Sequence, residues 1–252
     1  VVNTVHNVLE FYKMYNFESV DLTEKFSPFD SENVLDKWIL SKLNLLIGEV
    51  EEKMKSYKLA EAGRPILDFI TELSQWYVRR SRDRFKIGNK DDKHYAVSVL
   101  REVLLKLSKV MAPFTPFIAE KIYLDLRGAA DEVEKQKMSE SVHLEQWPEV
   151  NEKLVDKKVL DNMETARKIV EMALSLRVEN GVKVKQPLGK FAVTGCNLGE
   201  EYSNIISDEL NVKEVINEPL KAEEKNTVCK EEGELKICLD FTIDEELKKE
   251  GL

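Results

Sequence analysis

Apolar residues recur every three or four positions through most of the first 150 residues, the period of helices that bury one face. Between Ser31 and Tyr57 the stripe runs Leu35, Trp38, Ile39, Leu43, Leu46, Val50 and Met54, which predicts one long amphipathic helix. A second is predicted from about Leu59 to Phe85, with Ile66, Phe69, Ile70, Leu73, Trp76 and Tyr77 inward. Pro65 has no backbone N–H and should kink that helix or delay its start. A third helix, from Asp91 to Val110, turns Val99, Val103, Leu107 and Val110 inward. The segment APFTP breaks the pattern, with Thr115 expected as N-cap, Pro116 at the first helical position and Gly128 at the end of the helix they open. Val1, Val5, Val8, Tyr12 and Tyr15 give the opening residues the same period with no capping residue in front, as expected for a piece of a longer chain. Helices of this kind bury their stripes against one another in a bundle.

The texture changes after Pro148. One more helix is predicted from about Asn151 to Glu179 through Val159, Met163, Ala166, Val170 and Ala173, closed by Gly181. Short runs rich in Val, Ile and Phe follow: KFAVTG, VKEVINE, NTVCKE and LKICLDFTI, with a helical EYSNIISDELN between the first two. The chain is therefore expected to be mostly α, a helical-bundle domain over residues 1–150 followed by a small α+β domain over 151–252. KAEEKNTVCKEEGELK is too charged to pack throughout, so part of it is expected to be a mobile loop or hairpin tip.

Composition narrows the function classes. With 252 residues, 42% of them hydrophobic, the chain can bury real cores. Its net charge is −9, with 22 basic and 25 acidic residues in 1–150 and 16 and 22 in the rest, so any nucleic-acid contact must come from a local patch. Cys196, Cys229 and Cys238 are odd in number and contain no CxxC pair, which indicates neither a zinc knuckle nor a disulfide framework and suits a reducing, cytoplasmic home. No apolar run approaches the roughly 20 residues that span a bilayer. His6, His94 and His143 are scattered, and no metal site is expected.

The densest cationic stretch is WYVRRSRDRF, residues 76–85. It could be a solvated helix end, an internal salt-bridge anchor or a contact surface for a polyanion. At about 100° per residue, Arg80 and Arg84 fall toward the buried direction of Leu73 and Tyr77, whereas Arg79 and Arg82 point sideways or outward. An unpaired buried charge costs several kcal/mol, so Arg80 and Arg84 are assigned as anchors to carboxylates. Arg79 and Arg82 keep guanidinium forks free for bidentate phosphate contacts. In the second part, Arg177 lies one turn beyond Ala173 on the inward stripe and is also assigned as an anchor, as are Trp76 and Trp147. Lys183 and Lys185 alternate on a strand-like run and point to one face, where they could meet phosphates, and Gln186 could read a base edge. An ordinary solvated strand face is the alternative.

WYVRRSRDRF, MAPFTPFIAEKIY, SVHLEQWPE and VENGVKVKQPL, in this order and spacing, resemble the region after the catalytic domain of isoleucyl-tRNA synthetases. VVNTVHNVLEFYKMYN resembles the helix that follows those enzymes' signature loop. The likeness covers nearly the whole chain and is weakest beyond Gly195. It implies an α-helical anticodon-binding domain and a smaller C-terminal domain that together hold the anticodon stem and loop of isoleucine tRNA. The valyl and leucyl enzymes share the APF and HL..WP elements, so the equivalent domain of either is an alternative, as is a protein-interaction scaffold.

KMSES, residues 137–141, differs by one residue from the KMSKS loop of class I synthetases, but Glu140 would repel a phosphate that the second lysine of that loop stabilises. No HIGH sequence or Gly-rich phosphate loop precedes it. It is expected to be a charged surface loop, and the fragment to lack a catalytic residue and a cofactor, ATP and magnesium belonging to the parent enzyme. The implied partners are isoleucine tRNA and a catalytic domain outside this chain. The fragment itself is expected to be monomeric.

Overall fold

The computed structural model describes residues 2–16, 27–218 and 226–250. Two compact units, Val1–Lys157 and Lys158–Leu252, divide the chain. The first is helical: α1 (Val2–Asn16), α2 (Val34–Lys55), α3 (Leu59–Glu72), α4 (Arg79–Lys86), α5 (Lys90–Met111), α6 (Pro116–Gly128) and the short α7 (Glu132–Lys137). Helix α2 packs on α3 and α5, α5 packs on α4 and α6, and α1 lies against α5 and α6. The stripes legible in the sequence form the core: Leu35, Trp38, Ile39, Leu43, Leu46 and Val50 of α2 are buried, as are Val99, Val103, Leu107 and Val110 of α5. Burying one such side chain stabilises by about 1.5–3 kcal/mol. The side-chain caps that Asn33 and Asn89 provide for α2 and α5 contribute about 1 kcal/mol each. Packing therefore dominates, and the caps set where the helices begin.

Several local expectations are corrected. Pro65 does not delay α3, which starts at Leu59 and runs through it. Thr115 precedes α6 but does not cap it with its side chain; its hydroxyl donates back to the Met111 carbonyl at 3.3 Å. The helix expected from Asn151 starts at Lys157, as α8 (Lys157–Glu179). The reason lies on α2: Asn44 Oδ1 accepts the Asn151 N–H at 2.8 Å and Ser41 Oγ accepts the Asp156 N–H at 3.1 Å, so this segment is tied to α2 at both ends and forms only a short 3-10 turn, Glu152–Leu154, between them. Trp76 and Trp147 are half-buried rather than enclosed, and Met54 and Tyr15 lie at the edge of the core. Val1 of the opening stripe and residues 219–225 of the charged tail lie outside the described residues.

Two carboxylates organise the helical unit. Asp36, in the first turn of α2, is fully buried. It accepts from Ser31 Oγ (2.5 Å), Tyr77 Oη (2.8 Å) and both terminal nitrogens of Arg84 (2.8 Å each). Arg84 also donates to Asp92 of α5 at 2.8 Å, which ties α2, α4 and α5 through one guanidinium. Burial opposes the Arg84 charge, but its bonds to Asp36 and Asp92 outweigh burial and hold its pKa above the usual value. Glu145 directly follows SVHL and reaches back to KMSES. Lys109 Nζ lies 2.8 Å from it, the Ser139 N–H 2.7 Å, and Tyr123 Oη also donates to it. Glu120 of α6 accepts from Ser141 Oγ (3.0 Å) and the Val142 N–H (2.8 Å). The KMSES stretch lies at the surface, with Lys137 and Glu140 exposed, and two glutamates hold it to the bundle.

The second unit places α8 beside a four-stranded sheet of order β2-β1-β4-β3, with β1 (Leu188–Thr194), β2 (Val212–Ile216), β3 (Thr227–Glu232) and β4 (Leu235–Asp240). Strands β1 and β2 are parallel and joined through α9 (Glu200–Leu210), the crossover a parallel pair requires. The β3–β4 hairpin turns at Gly233, whose φ of 62° suits glycine, and α10 (Glu245–Glu250) follows. The register sets Cys229 opposite Cys238 with Cα atoms 4.1 Å apart, and the two form a disulfide. This corrects the reading that the cysteines indicate no disulfide framework: two cysteines nine residues apart become neighbours once a hairpin folds between them.

Arg84→Ala strands the buried Asp36 carboxylate, and a loss of about 3–5 kcal/mol in urea unfolding is expected. The double replacement Asp36→Leu/Arg84→Met should cost clearly less, because no charge is left unpaired. Equal costs would show that the pair is not what the fold depends on. Glu145 gives a pH prediction. Burial acts to raise its pKa, yet the donors from Lys109, Tyr123 and Ser139 prevail and bring it down to about 2. A carboxyl depressed in the folded state stabilises above its unfolded pKa, and that stability is lost as pH falls from about 4.5 toward 2. Glu145→Gln should therefore lower the melting temperature at pH 7, with the gap from wild type closing below about pH 3. A pH-independent gap would contradict this.

Candidate nucleic-acid interface

The arginine run follows a wide turn. Leu73–Val78 is π-helical, an insertion of one residue into the helical ladder that recurs at functional positions. From there α4 carries its arginines onto different faces. Ser81 and Phe85 are buried, and Phe85 meets the rings of Phe11 and Tyr15 at 5.0 and 5.7 Å. Arg84 turns inward to Asp36, on the same side as the buried Tyr77. Arg80 is half-buried, its Nε enclosed. Arg79 and Arg82 are exposed, and Arg79 is braced by donation from Nε to the Gln75 carbonyl at 2.7 Å. Among the described residues Arg82 makes no hydrogen bond or ion pair. Lys86, Lys90 and an Ile87 that is 81% exposed continue the surface past the end of α4, where Asp83 and Asp91 are the exposed acidic residues.

The neighbouring groove between α2 and α3, of about 460 Å³, is a poor phosphate site. Glu49, Glu61, Asp68 and Glu72 face Lys42, Lys53 and Arg64 there, and Lys42 is spent on Glu72 at 2.9 Å. The α4 surface is the more cationic of the two.

In the second unit Arg177 is 1% exposed and has no carboxylate partner among the described residues. Its guanidinium donates instead to four carbonyls, Lys183 (3.1 Å), Gln186 (3.0 Å), Leu210 (2.6 Å) and Asn211 (3.2 Å). Burial pulls its pKa down to about 10, still far above neutrality, so it stays charged. Lys183 and Lys185 are exposed but do not alternate on a strand; residues 183–186 form a turn closed by the Gln186 N–H on the Lys183 carbonyl at 3.0 Å. This corrects the strand-like placement, and the cause is Gly181. At φ 68° it ends α8 in a Schellman motif, Val182 N–H to Arg177 carbonyl and Gly181 N–H to Val178 carbonyl, which throws the chain into the turn. The Gln186 amide donates to the carbonyls of Pro187 and Leu247, so its N–H groups face the protein.

Among the described residues no group of three or more His, Cys, Asp or Glu side chains is arranged to hold a metal ion, and no helix is long and apolar enough to cross a membrane. Two organising residues are easily passed over in the sequence. Asp36 has a signal, an acidic residue between the inward Leu35 and Trp38. Asn211 has a weaker one, its position just after the α9 pattern, where Asn favours the left-handed backbone that it adopts here at φ 50°.

Residues 36–192 match the family described as the anticodon-binding domain of tRNA ligase. The chain is 43% identical over 221 residues to an isoleucine–tRNA ligase of Clostridium tetani and 43% identical over 215 residues to that of Clostridium novyi, with 85% of this chain covered in each. The isoleucine–tRNA ligase of Clostridium acetobutylicum is 42% identical over 220 residues. The chain spans about a fifth of the length of these relatives. With the family match running over more than half of its residues, the chain belongs to the anticodon-binding domains of tRNA ligases.

Proposed function

We propose that this chain binds the anticodon stem and loop of isoleucine tRNA and orients it for ATP-dependent aminoacylation by a catalytic domain that lies outside the chain. The observation that carries the proposal is the division of labour among the arginines of α4. Arg84 is consumed by Asp36 and Asp92, while Arg79 and Arg82 stand exposed on the same short helix. A guanidinium fork matches a phosphate bidentately, and the packed helix behind it removes much of the entropy cost of holding it in place. The relatives supply the amino acid: those named here are isoleucine–tRNA ligases. The chain's own part is binding, with one chain engaging one tRNA in the cytoplasm, where charged tRNA is used. ATP, magnesium and the chemistry of activation belong to the catalytic domain.

Replacing both Arg79 and Arg82 with Ala tests this. Both are exposed, so the melting temperature should hardly move. Binding of an isoleucine tRNA should weaken, and the slope of log K against log salt should become shallower by about one for each phosphate that the arginines neutralise. Unchanged affinity and slope would remove the α4 surface from the interface.

A further inference from the structure

The turn at residues 183–186 has a feature that an ordinary solvated loop lacks: all four of its carbonyls are engaged from the protein side. Arg177 takes those of Lys183 and Gln186, and Asn211 Nδ2 takes those of Val184 (2.9 Å) and Lys185 (3.2 Å). Carbonyl oxygens carry the negative ends of the peptide dipoles and would repel an approaching anion. Here they are drawn inward, and the exposed side presents Lys183, Val184 and Lys185. The two donors hold the turn from different elements. Arg177 comes from the last turns of α8, and Asn211 sits in the left-handed backbone between α9 and β2. Gln186 adds a third tie, to the Leu247 carbonyl of α10, a helix that carries Lys248 and Lys249. The nearby acidic residues are partly spoken for: Glu250 pairs with Lys213 at 2.6 Å and Glu179 with Lys230 at 3.2 Å.

Resting on the tRNA-binding function proposed above, we infer that residues 183–186 form a backbone-phosphate contact for RNA, and that Arg177 and Asn211 are its positioning residues. They do not touch the RNA. They fix the turn so that the exposed Lys183 and Lys185 leave from a rigid base whose carbonyls are turned inward. The ligand is the sugar-phosphate backbone, because the turn supplies charge without a free amide for a base edge.

Asn211 is the more informative residue to change, since Asn211→Gly keeps the left-handed backbone and removes only the two donors. Binding of an isoleucine tRNA by the 252-residue chain is measured across salt for four variants: the lysine pair, Asn211→Gly, the two combined, and the α4 arginine pair. Lys183→Ala/Lys185→Ala should make the salt slope shallower by about two. Asn211→Gly should reproduce most of that change with both lysines present, and should add nothing in the lysine double mutant. A purely structural Asn211 would instead leave the slope at the wild-type value or weaken binding equally in both backgrounds, and either result overturns the positioning role. If the lysine pair leaves the slope unchanged while Arg79→Ala/Arg82→Ala lowers it, the turn is not an RNA contact although the chain still binds tRNA. If neither pair changes the slope, the tRNA-binding function itself fails. Should Asn211→Gly lower the melting temperature by more than a few degrees, Asn211→Asp, which keeps the shape but aims an oxygen at the two carbonyls, carries the same comparison.

Discussion

A fully buried carboxylate has to be met by donors wherever the chain goes, and Asp36 recruits its donors from three directions. Ser31 comes from just before α2, Tyr77 from the π-helical turn and Arg84 from α4. Because Arg84 also reaches Asp92, the N-terminal part of α5 is held to the same point. Hydrophobic stripes alone would let these helices slide by a turn at modest cost. The bidentate geometry of Arg84 on Asp36 fixes their register. It also assigns the arginine run its roles: once Arg84 faces inward, helical geometry leaves Arg82 and Arg79 on other faces, where they are exposed.

The second unit meets a similar demand by other means. Arg177 is as enclosed as Asp36, but carbonyl dipoles rather than a carboxylate compensate its charge. The cost appears in its lowered pKa, and the gain is geometric, since four carbonyls from two stretches of chain converge on one planar group. In both units an inward-turned guanidinium organises backbone and helices, and the cations left outside are displayed from what it organises.

Much of this is legible in the sequence because it depends on local period. Apart from Met54 at the edge, the stripes of α2, α3, α5 and α8 are buried, and the four β-like runs are the four strands. The inward turn of Arg84 follows from the same arithmetic. What local period does not reveal depends on partners distant in sequence. The start of α8 comes later than its pattern suggests because Ser41 and Asn44, more than a hundred residues away, capture the backbone ahead of it. The disulfide is invisible to a count of cysteines, which ignores the hairpin that brings two of them face to face. Lys183 and Lys185 alternate in the same way whether they lie on a strand or flank a turn; Gly181 starts the turn, and Asn211 and Arg177 hold it.

Recognition of a tRNA through its anticodon end is the function from which the other proposals follow. Its most direct test is equilibrium filter binding of the 252-residue chain to isoleucine tRNA and to the same tRNA with its anticodon replaced, at one fixed salt concentration. Binding weaker by at least about tenfold, or 1.4 kcal/mol, is expected for the altered anticodon. Equal affinity for the two would contradict anticodon recognition by this chain.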